Sequence, residues 1–199
     1  AGTNQILIPS EVSYIGQCAF SAITIGDVTS GIPGSGSTAS NSYGSNIANF
    51  TISVSFEENS KISTLSKDCF VICNMQKADF SNCGELKSII GVTTPLELVL
   101  PNDGGRLEEI SLRHEPASIP EALQMISLPS SVRIVSGLSC QSVTFSVGSM
   151  LETVRCVEGG MMDLSNCRQL KSVTFGDGNN IFGKNGSVTL PAGIYSISI

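Results

Sequence analysis

One short pattern recurs along the sequence: an apolar residue, two free positions, a branched apolar residue, a polar residue and a final apolar residue. Clear copies are FSAITI at Phe20, LEEISL at Leu107, LQMISL at Leu123, CQSVTF at Cys140, LETVRC at Leu151, LKSVTF at Leu170 and IYSISI at Ile194, with looser copies at Thr51, Met75 and Asn185. Alternating residues rich in Ile, Val and Thr are typical of a β-strand with one buried face. Most copies lie too close together for a crossover helix between them. The pattern therefore predicts short strands linked by tight turns or by a second short strand.

A longer repeat shows how one unit continues. ILIPSEVSYIGQCAFSAITI from Ile6 aligns without a gap with ISLPSSVRIVSGLSCQSVTF from Ile126, and VTLPAGIYSISI from Val188 begins the same unit again. A proline follows the first strand of each unit, where its missing N–H and fixed φ end the ladder and favour a bend. Because no single unit can bury its apolar edges, the units are predicted to stack as a solenoid.

A third repeat places two cysteines in equivalent positions. The phrase DFSNCGELKSI, from Asp79, returns as DLSNCRQLKSV, from Asp163. The two copies differ mainly where one apolar residue replaces another or where a polar residue should face water. Cys83 and Cys167 share one slot of this phrase. Since a free thiol packs as a small apolar group, we predict that both are buried and free.

The cysteines as a set predict neither a disulfide scaffold nor a metal site. There are seven of them, an odd number without dense, even spacing. Cys69 and Cys73 lie four residues apart, and the single histidine, His114, is far along the chain. A zinc site needs more ligands at tighter spacing, so we expect no metal and no cofactor.

One segment departs from the repeats. The stretch from Gly26 to Asn46 is rich in Gly and Ser and has little to bury, so we predict a flexible loop inserted at about residues 26–49 of a single solenoid domain that spans 1–199. Its GSGSTA run superficially resembles a nucleotide-binding glycine motif. No helical pattern follows the run, and no lysine or acidic partner stands at the right place, so we do not predict phosphate binding.

The charge balance argues against polyanionic partners. A formal net charge of −6 would repel a nucleic-acid backbone and disfavours an anionic membrane surface. No apolar run reaches eighteen residues, and the start AGTNQILIPS lacks the basic and then apolar layout of a signal peptide. We expect no nucleic-acid partner and no membrane insertion by this chain.

Three stretches carry a family resemblance. MQKADFSNCGEL, from Met75, resembles the leucine-rich repeat consensus, while IPSEVSYIGQCAF, from Ile8, and FEENSKISTLSKDCFVIC, from Phe56, resemble its BspA-like subclass. The resemblance implies a mostly β, leucine-rich-repeat solenoid with irregular coils, a concave parallel β-sheet and few short helices. It also implies display at the cell surface of mucosal bacteria or protozoa, and adhesion to host proteins or to other cells.

Few residues offer catalytic chemistry. His114 is the single candidate for acid–base work, and no GxSxG elbow occurs. Glu108 and Glu109, with Glu97 as a neighbour from the preceding coil, could imitate the paired carboxylates of a glycoside-cleaving solenoid. We interpret these residues as solvated strand positions and predict a protein that is not an enzyme. A carbohydrate-active β-solenoid enzyme and a structural spacer remain the alternatives.

The polar strand positions predict a binding surface. Hydroxyl groups dominate them and aromatic anchors are rare, which favours weak, multivalent contacts with host or cell-surface proteins, or with glycans. The charged candidates for this exposed strand face are Lys77, Asp79, Lys87, Glu108, Glu109, Arg155 and Lys171. No polar capping unit is visible at either end, so we also expect an end-to-end homodimer. Asn49 in NFT and Asn185 in NGS fit the N-glycosylation triplet.

Overall fold

The computed structural model describes residues 3–17, 19–20, 51–67, 69–70, 75–102, 105–113, 123–175 and 187–198. The strands are β1 (Thr3–Ile8), β2 (Tyr14–Ile15), β3 (Thr51–Phe56), β4 (Thr64–Leu65), β5 (Met75–Asp79), β6 (Ser88–Thr93), β7 (Glu97–Val99), β8 (Glu109–Arg113), β9 (Leu123–Leu128), β10 (Ile134–Ser136), β11 (Ser139–Phe145), β12 (Thr153–Asp163), β13 (Ser172–Phe175), β14 (Ser187–Thr189) and β15 (Ser196–Ser198). Predictions on Asn49, His114, Asn185 and the loop at 26–49 lie outside these residues.

The chain forms a β-solenoid of parallel strands in two walls. Wall A contains β1, β3, β5 and β7, then β9, β11, the second half of β12, and β14. Wall B contains β2 and β4, then β6, β8, β10, the first half of β12, β13 and β15. The chain alternates between the walls, and one wall A strand with the wall B strand after it makes one rung. The predicted mostly β solenoid is confirmed.

No helix occurs in the described ranges, where we had expected a few short ones. The two corners that begin at Pro9 and Pro129 are tight turns and leave no room for a helix. The Val12 amide donates to the Pro9 carbonyl at 3.1 Å, and the Val132 amide donates to the Pro129 carbonyl at 3.2 Å. Both prolines directly follow a wall A strand, as the sequence predicted.

The recurring pattern encodes strands of both walls. LEEISL overlaps β8 of wall B, whereas LQMISL is β9 of wall A. In LEEISL, Leu107, Ile110 and Leu112 are buried, while Glu108 is exposed and Glu109 is half-buried. Two consecutive positions can face outward because the chain turns a corner immediately before the strand. In LEEISL the first free position, Glu108, therefore belongs to the corner, whereas both free positions of LQMISL lie inside β9.

Inward side chains form continuous columns through the stack. In wall B, Ile89, Ile110, Val135, Val154 and Val173 pair in register from strand to strand, and all five are buried. Burying a side chain of this size contributes roughly 1.5 to 3 kcal/mol. Since every rung adds to such columns, the stacking of rungs is the main source of stability.

The return from wall B to wall A between β10 and β11 is two residues long, and a glycine makes it possible. Gly137 has a φ of +64°, a conformation that L side chains rarely adopt. A Cβ on Gly137 would lie 1.9 Å from the Leu112 carbonyl oxygen. Any other residue here would have to push this return away from the rung before it.

The phrase that the sequence repeats is a corner between the walls. Asp79 is the last residue of β5 and Asp163 the last of β12. The Asp79 Oδ1 accepts the Ser81 amide at 3.1 Å, and the Asp163 Oδ1 accepts the Ser165 amide at 2.9 Å. These carboxylates close the first turn of the corner, which explains why the chain uses the phrase twice.

Each cysteine of the phrase packs on a serine of the previous rung. The Cys167 Sγ lies 3.7 Å from the Ser149 Oγ, and Cys83 hydrogen-bonds Ser60 in the same manner. Both serines are buried. Cys83 and Cys167 are also buried, and both are free thiols, so this prediction is confirmed. Burial raises the pKa of Cys83 to about 12 and raises that of Cys167.

We expect Cys83 and Cys167 to resist alkylation in the folded protein. At pH 8, a thiol with the pKa of Cys83, about 12, is ionised in about one molecule in ten thousand. Iodoacetamide should modify the two cysteines in urea but not in buffer, as read by peptide mass spectrometry. Gln169→Cys, on an exposed corner position two residues from Cys167, should react in both conditions. Equal rates for Cys167 and the introduced cysteine would contradict the buried packing.

Truncating a side chain of an inward column should lower the free energy of unfolding far more than truncating a side chain outside the column. Ile110→Ala removes a buried side chain and should lower the free energy of unfolding by about 2–5 kcal/mol. Ile134→Ala changes the same residue type on the next wall B strand, where the side chain is 37% exposed, and should cost about 1 kcal/mol or less. Urea unfolding followed by circular dichroism measures both, and similar losses would argue against the columns.

Candidate functional site

The seven charged candidates divide between the two walls. Lys77 and Asp79 belong to β5 of wall A. On wall B, Glu109 is the first residue of β8, and Arg155 belongs to β12. The other three candidates each immediately precede a strand: Lys87 precedes β6, Glu108 precedes β8 and Lys171 precedes β13. The sequence predicted one exposed face because one pattern forms the strands of both walls. The structure shows two separate faces, and wall B carries most of the set.

Five charges of alternating sign run up wall B, on five consecutive rungs. We name Lys87, Glu108, Arg133, Glu152 and Lys171 the charge column. Backbone hydrogen bonds join each member to the next, with amide-to-carbonyl distances of 2.8 Å from Glu108 to Lys87, 2.8 Å from Arg133 to Glu108, 2.9 Å from Glu152 to Arg133 and 3.5 Å from Lys171 to Glu152. Opposite charges on adjacent strands attract, so the column stabilises this order of rungs.

The side chains at the centre of the charge column are linked directly. Arg133 donates from Nη2 to Glu152 Oε1 at 2.9 Å and to Oε2 at 3.1 Å, and from Nε to Oε1 at 3.0 Å. Its Nη1 lies 3.9 Å from the Glu108 Oε2. Neither Arg133 nor Glu152 was among the residues that we predicted from the sequence. Alignment of LETVRC with LEEISL would have found Glu152, but Arg133 becomes visible only when VRIV is assigned to the same wall.

Three cations of this face have no ion pair within the described ranges: Lys87, Lys171 and Arg155. Arg155 is exposed and stands in register between Ser136 and Thr174. Thr153 of β12, the strand of Arg155, pairs in register with Ser172 of β13, the residue after Lys171. We name Arg155 and Lys171, with these flanking hydroxyl residues, the basic patch.

On wall A, by contrast, the candidate charges neutralise one another. The Lys77 Nζ lies 2.7 Å from Glu97 Oε1 and 3.5 Å from Asp79 Oδ2. The hydrogen bond to Glu97 raises the pKa of Lys77, although partial burial opposes it. Burial raises the pKa of Asp79, but the bonds from Ser81 and the charge of Lys77 outweigh it and lower the pKa overall. These ions therefore offer little unpaired charge to a partner.

The position of Glu97 corrects one expectation. Glu97 lies in β7 of wall A with its carboxylate on Lys77, whereas Glu108 and Glu109 belong to wall B. Glu97 therefore does not stand beside the other two acids, as the glycosidase-like arrangement required. The error arose because the sequence does not distinguish a strand of the same wall from a strand of the opposite wall.

A second set of ion pairs marks the corner between the walls in the N-terminal half. The Lys61 Nζ lies 2.5 Å from Glu11 Oε2, and the Arg106 Nη1 lies 3.1 Å from Glu85 Oε2. A shallow groove on this corner is lined by Asn59, Ser60, Lys61, Ser63, Asn82, Gly84 and Glu85. Lys61 is paired with Glu11, Glu85 is paired with Arg106, and the Asn82 side chain donates to the Phe56 carbonyl. We therefore place the candidate site on wall B.

Two kinds of feature are absent from the described ranges. They contain no group of three or more His, Cys, Asp or Glu side chains placed to hold a metal ion. They also contain no helix of the length and apolar character that a membrane crossing requires.

Comparison of the chain with protein-family models, with curated proteins and with solved structures gives no match. The resemblance to BspA-like leucine-rich repeats stays a prediction from the quoted stretches.

The central pair of the charge column should show a small but measurable coupling. We expect a double-mutant cycle of Arg133→Met and Glu152→Gln to give about 0.2–1 kcal/mol, because both side chains are partly exposed and water screens them. A cycle of Arg155→Met with Glu152→Gln is the control and should give no coupling. Urea unfolding at low and high salt measures both. A coupling that is absent at low salt would contradict the direct ion pair.

Proposed function

We propose that this chain is a non-catalytic adhesion module of a cell surface that binds host or cell-surface proteins through the outward face of wall B. The observation that carries the proposal is the basic patch. Its two cations stay without an ion pair while Arg133 and Glu152, in the same wall, pair with each other. An unpaired cation on a solvated sheet is free to attract a carboxylate of a partner.

The charge of this face contrasts with that of the whole chain. The described side chains of the face include four cations, Lys87, Arg133, Arg155 and Lys171, and three carboxylates, Glu108, Glu109 and Glu152. The face is thus slightly positive on a chain with a net charge of −6. Such an asymmetry favours acidic partners and directs them to wall B.

The composition of the face favours weak individual contacts. Hydroxyl groups surround Arg155, and the aromatic side chain at this end, Tyr195, is 78% exposed. Tight interfaces usually have buried Tyr, Trp or Arg anchors in a central pocket, and this flat face has none in the described ranges. Adhesion by such a face depends on several copies acting together. The surface location of the proposal comes from the family resemblance.

The alternatives have less support. A carbohydrate-cleaving enzyme needs two carboxylates that flank one bond, and Glu97 is bound to Lys77 on the other wall. A structural spacer would use the same stack of rungs but would bind nothing through wall B.

The proposal predicts a wall-specific loss of binding. The chain carrying Arg155→Ala and Lys171→Ala should bind immobilised fibronectin, laminin or cultured epithelial cells roughly three- to tenfold more weakly than the original chain, with a loss that shrinks as salt rises. Lys77→Ala, on wall A, is the matched control and should bind as the original does.

Two results would oppose the proposal. If the wall A and wall B variants both lost binding to the same extent, the binding surface would not be wall B. Absence of binding by the original chain to every surface would favour the spacer, and cleavage of a polysaccharide that depends on Glu108 or Glu109 would favour the enzyme.

A further inference from the structure

The two ends of the charge column carry its unpaired charges. Lys87 and Lys171 are both exposed, and neither has an ion pair within the described ranges. Between them lie Glu108, Arg133 and Glu152, which contact one another and together carry one negative charge. The charge column therefore presents a free positive charge at each end and a slightly negative centre.

The ladder of wall B fixes the separation of these two ends. The residues that directly follow the members of the charge column pair in unbroken register from strand to strand, and they are Ser88, Glu109, Ile134, Thr153 and Ser172. The register shifts of β6 and β12 lie farther along those strands, after Ile90 and Arg155. Adjacent strands of a sheet lie about 4.8 Å apart, so the four steps from Lys87 to Lys171 cover about 19 Å.

An extended peptide chain has a repeat that matches this separation. Its rise is about 3.3 Å per residue, so an advance of six residues covers about 20 Å. Successive side chains of an extended chain point to opposite faces, and an even advance returns to the same face. Two acidic residues separated by five others would therefore both face wall B, one above each free lysine.

The centre of the charge column disfavours a partner with continuous negative charge. A sulfated glycan or an uninterrupted acidic run would place anions above Glu108 and Glu152 as well as above the lysines, and like charges repel. Arg133 does not offset this repulsion, because it already donates three hydrogen bonds to Glu152. The order of charges thus favours two separated acids over a dense polyanion.

We propose that wall B binds an extended segment of a partner protein that runs along the stack and carries two acidic residues six positions apart. One acidic residue contacts Lys87 and the other contacts Lys171. Arg155 lies one rung before Lys171 and adds to the positive potential at that end. This inference rests on the proposed function, because it names the partner of the same face, and it adds Lys87 as a second anchor.

Titration of the full 199-residue chain with synthetic peptides, followed by NMR at low salt, tests the spacing. The first peptide has blocked ends and two aspartates separated by five serine or glutamine residues. The second has the same composition but only two residues between the aspartates. We expect the first to bind about three- to tenfold more tightly, because it engages both lysines at once.

A third peptide separates the charge pattern from total charge. It carries an additional aspartate four positions after the first one, on the same face of the extended chain and close to Glu152. We expect it to bind no more tightly than the first peptide, although it is more acidic. Tighter binding by the third peptide would show that wall B responds to negative charge alone, and would overturn the proposal.

Variants of the two ends test which residues read the spacing. Lys87→Ala and Lys171→Ala should each remove the preference for the first peptide over the second. Lys77→Ala changes the net charge equally but lies on wall A, so it should keep the preference. Circular dichroism checks that each variant retains its strands, and a preference that survives Lys87→Ala would contradict the second anchor.

The remaining outcomes distinguish this inference from the proposed function. Equal affinity for the first two peptides, or tighter binding of heparin than of the first peptide, would overturn the inference. The proposed function would survive both results if binding to fibronectin, laminin or cells still depended on Arg155 and Lys171. A spacing preference in a chain that binds none of those surfaces would support the inference and contradict the adhesive role.

Discussion

The structure depends on the burial of one rung by the next. A single rung of this chain has two short strands and a corner, and its inward side chains form a layer only one residue thick. Water is excluded from that layer when residues such as Ile89, Ile110 and Val135 meet in register from strand to strand. The backbone ladders are also made between rungs rather than within them. Both the hydrophobic and the hydrogen-bond contributions therefore arise from stacking.

The corners show how the stack satisfies polar groups that the ladders leave out. The Asn82 amide donates to the Phe56 carbonyl at 2.8 Å, and the Ser131 hydroxyl donates to the Leu107 carbonyl at 2.7 Å, each reaching from one rung to the rung before. The buried hydroxyl of Ser149 accepts the Leu151 amide at 3.3 Å and meets the Cys167 thiol. Because a buried polar atom without a partner is costly, these contacts help to set the register of the corners.

Much of the fold follows from local chemistry that the sequence displays. Period-two apolar patterns, prolines after Ile8 and Leu128, and the shared slot of Cys83 and Cys167 all depend on residues near in sequence, and the structure agrees with each. The assignment of a strand to one wall or the other depends on the number of corners between them. Because one pattern forms the strands of both walls, the sequence does not show this number of corners. Lys77 and Lys171 were therefore predicted to share one face, although they lie on different walls.

The charge column has a consequence for how such a solenoid can change in length. Its signs alternate from Lys87 through Arg133 to Lys171, one sign per rung. Loss of a single rung, such as that of Arg133, would bring Glu108 next to Glu152, two like charges on neighbouring strands. Loss of two rungs together would bring Lys87 next to Glu152 and restore attraction. The column therefore favours the gain or loss of two rungs together over the gain or loss of a single rung.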